Sequence, residues 1–322
     1  MQQHEHTPRH RGGFGRILLC VDFSEAAGSA GAIVRRLARP SSEVTIVAVT
    51  PDLERLASHA ALAGVGLDVA RTRSLAEAQR IVEMASSTFA NSTLAVSTQV
   101  IDLETERGDV AHALTRVAQE RRIDLLIVVM RQHHGLVRWF DPSVLDRLGR
   151  LTPCAMVVVP AGYENSQSDV QRILFAIDGS PSSFAALGTG AMLATANTEV
   201  RIVYVVDRAI CDGDFAPKAL LEDAFVNEGE RAITAAVDRL QILQTVAPSQ
   251  VSAHLVSTEV SDDDVSSALL REAKRWDADL MIMGTHGRRG GARSYLGSVP
   301  NRVASLAEIR LVLVRESHDG PR

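Results

Sequence analysis

Ile17-Leu18-Leu19-Cys20-Val21-Asp22 and Ile173-Leu174-Phe175-Ala176-Ile177-Asp178 are one pattern written twice, an apolar, β-rich run closed by an aspartate, 156 positions apart. The same offset carries Val44-Thr45-Ile46-Val47-Ala48-Val49 onto Val200-Arg201-Ile202-Val203-Tyr204-Val205. At an offset of 155, Asp124-Leu125-Leu126-Ile127-Val128-Val129 falls on Asp279-Leu280-Met281-Ile282-Met283-Gly284, and Ala155–Val159 falls on Arg310–Val314. Four strand candidates recurring in order at a near-constant spacing mark an internal duplication. The runs are apolar throughout instead of alternating, as strands are when both faces of a parallel sheet are covered.

Between the runs the period changes to that of a helix. Leu221, Phe225, Ile233, Ala236, Val237 and Leu240 recur near 3.6 residues, and so do Val265, Leu269, Ala273 and Trp276. In the first half Leu75, Ala78, Val82, Ala85 and Phe89 form one stripe. We read all of these as core faces and not as ligand contacts. Alternation of β and α elements predicts two doubly wound, mostly parallel-sheet, Rossmann-like α/β domains in tandem. The expected division is a flexible tail over 1–15, a first domain over 16–160, a polar linker over 161–169, a second domain over 170–315 and a C-terminal tail over 316–322.

Bulk properties exclude several classes. The 322 residues suit about two domains, and 46% apolar with 23% charged residues is an ordinary globular balance. A net charge of −5 leaves no general basic field, which argues against nucleic acid as a partner. No apolar run approaches the roughly 18 residues of a membrane-spanning helix. The N-terminal stretch carries charge and His but no apolar segment, so it reads as a tail and not as a secretory signal. Cys20, Cys154 and Cys211 are scattered and odd in number. Free buried thiols, a reducing cytoplasm and no cysteine metal site follow.

Chemistry concentrates in Gly284-Thr285-His286-Gly287-Arg288-Arg289-Gly290-Gly291-Ala292-Arg293-Ser294-Tyr295-Leu296-Gly297-Ser298-Val299-Pro300-Asn301. It follows a strand candidate, and in open α/β sheets ligands bind beyond the carboxyl ends of strands, where strand order reverses. Glycines let the backbone approach an oxyanion, and successive N–H groups make an anion nest. Ser298 is a good N-cap for a following helix, whose N-terminus offers unpaired donors and a positive dipole end. Pro300 in the first turn gives up an N–H that had no helical partner. Arg288, Arg289 and Arg293 add positive charge. On composition alone, a phosphate site and an ordinary connecting loop are equal readings.

The spacing separates them. Gly284, two residues, Gly287, nine residues, then Gly297-Ser298 fits G-x2-G-x9-G-S/T. With this motif, its preceding strand and Asp178, the chain resembles the ATP-binding universal stress proteins. The resemblance covers nearly the whole chain as two copies and is greatest to the two-domain, E-type bacterial members. It implies a nucleotide-dependent stress or signalling protein that binds ATP or a related adenine nucleotide, with any Mg²⁺ arriving on the phosphates. It places Ala176 and Asp178 at the adenosine, Val205 at the adenine pocket, and Met283 and Gly284 against base and ribose. Gly287, Gly297, Ser298, Val299 and Pro300 become the phosphate and ribose cradle. Two bland alternatives stay open: Asp178 as a cap of the following helix, since Asp-Gly-Ser-Pro is also a turn signature, and Val205 and Met283 as plain core. Family members pair their last strands across a dimer. In a tandem chain Ala155–Val159 and Arg310–Val314 can pair internally and antiparallel, which covers two sheet edges. The chain is then an internal pseudo-dimer, with homodimerisation and protein partners left open.

The first half departs from the motif. Val129 stands at the place of Gly284, Gln132 at that of Gly287 and Pro142 at that of Gly297; Ser143 keeps the hydroxyl and Asp22 remains. ATP is therefore expected in the second half only. The loop Met130–Phe140 reads as packed structure, with a different ligand as the alternative. His133 and His134 are not read as metal ligands, because chain neighbours rarely converge on one ion and no third ligand is near. There is no GxxxxGKS/T, HExxH or GxSxG pattern. Asp262-Asp263-Asp264 precedes Val265 and reads as helix-capping carboxylates. No catalytic residue is assigned. The rival functions are a slow ATPase or self-phosphorylating enzyme with Ser298 as acceptor, and a scaffold or lipid-type small-molecule binder using the first domain.

Overall fold

Every residue of the runs Leu125–Val129, Leu280–Gly284 and Arg310–Val314 is buried, and these runs form the middle of one sheet. The computed structural model describes residues 13–21, 27–53, 66–129, 142–160, 170–208, 218–243, 246–259, 263–287 and 296–316. In the first domain the elements are β1 (Phe14–Cys20), α1 (Ala27–Leu37), β2 (Ala38–Thr50), α2 (Leu67–Ser87), β3 (Ala95–Asp102), α3 (Leu103–Glu106), α4 (Val110–Glu120), β4 (Leu125–Val129), α5 (Pro142–Leu151) and β5 (Ala155–Val159). The second repeats them, without a counterpart of α3 among the described residues, as β6 (Arg172–Ile177), α6 (Pro181–Ala191), β7 (Glu199–Val206), α7 (Lys218–Leu243), β8 (Val251–Ser257), α8 (Val265–Arg275), β9 (Leu280–Gly284), α9 (Ser298–Leu306) and β10 (Arg310–Val314).

The strand order is β3-β2-β1-β4-β5-β10-β9-β6-β7-β8. All neighbours are parallel except β5 and β10, which run antiparallel with Leu311 opposite Val158, Val312 opposite Val157 and Leu313 opposite Met156. The expected internal pairing is thus present, and the two domains share one sheet. Strand residues alternate between two cores. Ile17 and Leu19 pack with α1, α2, α6 and α7, whereas Leu18 and Cys20 pack with α4, α5, α8 and α9. This two-sided covering explains the unbroken apolar runs.

Each repeat has five strands where the sequence revealed four. The additional strands, β3 and β8, are the sheet edges; β3 buries only Ile101 along its length and β8 buries no residue fully. A half-wet edge strand has no need of a continuous apolar run.

The aspartate before β4 and β9 has a structural task. Asp124 accepts the backbone N–H groups of Gly15 and Arg16 at 2.9 and 3.0 Å. Asp279 accepts those of Gln171 and Arg172, both at 2.8 Å. Each carboxylate fastens the start of its neighbouring strand, β1 or β6.

One boundary needs correction. The tail expected over 1–15 ends earlier, because Phe14 is buried and its carbonyl accepts the Ser42 hydroxyl at 2.7 Å. The glycines flanking Phe14 suggested a loose segment, but its ring and backbone belong to the first core. Residues 1–12, the linker 161–169 and residues 317–322 lie outside the described residues, as does Cys211. Cys20 and Cys154 are free thiols, and burial pushes both up, Cys154 to about 12, which keeps them protonated.

Asp279→Ala removes an acceptor shared by two backbone donors. A loss of about 1.5–3 kcal/mol is expected in urea denaturation, the range for hydrogen bonds to a charged group. A change within about 0.5 kcal/mol, typical of an ordinary surface site, would refute the fastening role.

Candidate functional site

The chain runs outward from β6 through β7 to β8 and then returns to the other side of β6 as β9. Connections leaving β6 and β9 therefore diverge to opposite faces and leave a crevice between them, the switch point of an open α/β sheet. A cavity of about 430 Å³ lies there. Ala176 and Asp178 come from the end of β6, Val205 from β7, and Met283 and Gly284 from β9. Gly287, Gly297, Ser298, Val299 and Pro300 come from the β9–α9 connection and the start of α9. All ten residues singled out in the sequence line this one cavity.

Its turns follow from local chemistry. Gly179 has φ +79°, which lets the chain reverse directly after Asp178. Asp178 Oδ1 accepts the Ser180 N–H at 3.0 Å, and Ser180 Oγ in turn accepts the Ser183 N–H at 3.2 Å. Ser180, not Asp178, is the N-cap of α6. A second correction concerns Ser298, read above as an N-cap. Gly297 holds that position, with Asn301 N–H donating to its carbonyl at 3.0 Å, and Ser298 is the first helical residue without a capping bond. The chain enters the helix one residue early, so the Ser298 hydroxyl serves no cap.

Two of the three motif glycines are needed for close approach. A Cβ on Gly284 would lie 2.4 Å from Ser182 Oγ and 2.9 Å from the Ser182 carbonyl carbon, because α6 packs directly on β9. A Cβ on Gly287 would lie 2.8 Å from Asp178 Oδ2, so this backbone passes against the carboxylate. Gly297 is the least constrained, at φ −53°, with its Cβ position 3.3 Å from Pro300 Cδ and 3.4 Å from the Thr285 carbonyl.

The stem of the connection is tied off. Gly297 N–H donates to the Thr285 carbonyl at 2.9 Å, and Thr285 N–H donates to the Val314 carbonyl at 2.9 Å. The hydroxyls of Ser180 and Ser182 both donate to the His286 carbonyl. Arg288, Arg289 and Arg293 lie outside the described residues, as do Asp22, Gln132, His133, His134 and Asp262. Asp264 caps α8 by accepting the Ser267 N–H at 2.7 Å, and Asp263 pairs with Arg271 at 2.8 Å, in line with the capping reading.

Sequence reasoning missed part of the wall. Phe225, Val265 and Leu269, read as core faces, also line the cavity, together with Asp207 and His286. Helical period reports the face turned toward the sheet. At the amino ends of α7 and α8, which start from the carboxyl edge of the sheet, that face overhangs the crevice instead of a strand. Position near a helix start was the available signal. Among the described residues no cluster of three His, Cys, Asp or Glu could hold a metal, and no helix is long and apolar enough to cross a membrane.

A sequence profile of the universal stress protein family matches residues 13–160 and again residues 169–315. The chain belongs to the universal stress protein family. Among solved structures, this universal stress protein is similar to one from Archaeoglobus fulgidus DSM 4304, at 14% identity and TM-score 0.63, over 95% of this chain and 97% of that one. A functionally unknown protein from Pseudomonas aeruginosa PAO1 is also similar, at 13% identity and TM-score 0.54, over 94% and 93% of the two chains. At these identities the likeness shows the fold alone. No curated protein sequence matches this chain.

Gly284→Ala is expected to destabilise the protein by about 1–3 kcal/mol, the range for forcing an atom into packed surroundings, whereas Gly297→Ala costs at most about 1 kcal/mol. Urea denaturation of both variants checks the order, and equal costs would contradict the packing of α6 on β9.

Proposed function

We propose that the second domain holds one ATP or related adenine nucleotide, and that the protein works in the cytoplasm by occupancy and not by turnover. The observation that carries this reading is the convergence of ten residues, four from the glycine spacing and the rest implied by the family resemblance, on a single cavity at the switch point. A volume of about 430 Å³ is within the range of small-molecule sites. The cavity has two characters. Val205, Phe225, Val265, Leu269 and Met283 give an apolar wall suited to a base, with Asp178 and Asp207 near enough to the strand ends to meet ribose hydroxyls. Gly287 and the start of α9 give backbone. The first N–H groups of a helix have no partner within it, so those of Ser298 and Val299 are available to phosphate oxygens, supported by the helix dipole.

The sequence has no GxxxxGKS/T lysine to reach a γ-phosphate and no obvious general base. A holding site is the better fit, in which bound nucleotide shifts conformation or partner choice through its differential affinity for two states. Any Mg²⁺ would come with the phosphates.

Calorimetric titration is expected to give one ATP per chain, because the first repeat has Val129 and Pro142 at the places of Gly284 and Gly297. Two equivalent sites would overturn that assignment. Gly297→Val adds two methyls beyond a Cβ already in contact with Pro300 and Thr285. It displaces phosphates from the α9 donors, a loss of about 1.5–3 kcal/mol and so about ten- to a hundredfold in ATP affinity, with adenosine affected less. Asp178→Ala weakens ATP and AMP by similar factors. A folded Gly297→Val protein that binds ATP like the parent would remove the phosphate cradle from the proposal.

A further inference from the structure

Leu296, immediately before Gly297, is 3% exposed and belongs to the core on the α4, α5, α8 and α9 face. Its closest neighbour of interest is in the other domain. A Cβ built on Gly149 of α5 would lie 2.8 Å from Leu296 Cδ1 and 3.4 Å from Leu296 Cβ and Cγ. The three nearest atoms to that position all belong to Leu296. The first domain thus presents a notch free of side chain, and the second domain seats in it the residue that leads into the cradle. Glycine within a helix is destabilising relative to alanine, so α5 carries a local cost that the contact offsets.

The same stretch of α5 is tied to the second domain a second time. Arg315, just after β10, donates from Nη1 to the Arg150 carbonyl at 2.7 Å. The preceding residue, Val314, accepts the Thr285 N–H, and Thr285 accepts the Gly297 N–H. A short chain of contacts therefore runs from α5 through Leu296 on one side and through Arg315, Val314 and Thr285 on the other, and both branches meet at Gly297. The notch is one-sided: the repeat puts Ala304 of α9 at the place of Gly149.

We propose that α5 of the first domain is the seat of the second domain's cradle and that Gly149 is a positioning residue for nucleotide binding across the domain boundary. Leu296 docked in the notch holds the Gly297 backbone, and with it the Ser298 and Val299 donors, in place. The first domain, which lacks the motif glycines, contributes to binding by orienting the site of its partner domain. The affinity part of this inference rests on the nucleotide reading above; the structural part does not.

The test compares Gly149→Ala, Leu296→Ala and the double variant in the full chain. Gly149→Ala is expected to weaken ATP about three- to tenfold, a coupling of ordinary size for residues in contact, while thermal stability changes little because alanine's gain in the helix opposes the crowding of Leu296. Adenosine binding changes less. In the ligand-free protein, amide hydrogen exchange at Gly297 speeds up. Leu296→Ala shows the same two effects. In the double variant the alanine methyl occupies space that the leucine vacated, and most of the affinity and protection returns. A merely structural contact would lower stability without that recovery. Unchanged exchange and ATP affinity in folded Gly149→Ala, or additive losses in the double variant, would overturn the proposal. If the parent binds no adenine nucleotide, the nucleotide reading fails by itself. Gly297 exchange then decides alone: faster exchange with recovery in the double variant supports the seat, and unchanged exchange refutes it.

Discussion

The antiparallel pairing of β5 with β10 is the constraint on which the rest of the molecule depends. All of β10 and all but the first residue of β5 are buried. Separated, each domain would end in an apolar strand with a row of unpaired N–H and C=O groups, a template for aggregation. Pairing them satisfies both rows and makes one sheet from two. It also fixes the relation of everything attached to those strands. α5 and α9 come together beside the junction, and that is why a notch in one domain can receive a residue from the other.

The two repeats agree where they are structural and diverge where a ligand would sit. At the amino ends of the strands, Asp124 and Asp279 make the same pair of backbone bonds. Asp109 and Asp264 cap α4 and α8 and pair with Arg147 and Arg302, both at 3.0 Å. These contacts hold helix to helix and strand to strand in both repeats. At the carboxyl edge the repeats part company. Gly284 allows Ser182 to lie on the end of β9, whereas Val129 puts a buried branched side chain at the end of β4. Gly284 both lines the cavity and lets α6 close on the sheet.

The second domain also buries a charge pair that the first lacks. Glu272, 2% exposed, accepts from Arg201 at 2.8 Å, and the guanidinium lies 4.6 Å from the centre of the Trp276 ring. The first repeat has Thr45 and Val117 at these places. Such pairs are weak sources of net stability once desolvation is counted, but breaking one leaves a buried charge unpaired. The pair joins β7 to α8, two of the elements that wall the cavity.

By itself the sequence determined the duplication and the fold class, and its resemblance to a known family named ten of the residues that line the cavity. Those signals are local. Apolar runs report burial on both faces, and the glycine spacing reports where backbone must come close to another group. The sequence was silent on β3 and β8, because edge strands are half-wet and carry no continuous apolar pattern. It marked Phe225, Val265 and Leu269 as core faces, which they are, but not as cavity wall, since helical period marks a face without saying whether a strand or a crevice lies beneath it. Ser298 lost its capping role by a shift of one residue in the helix start, a difference below what residue preference can resolve. Only the tertiary structure decided that Gly149 meets Leu296. That contact joins residues far apart in the chain, and a glycine leaves no pattern of its own; what it makes room for is known only when the opposing surface is in place.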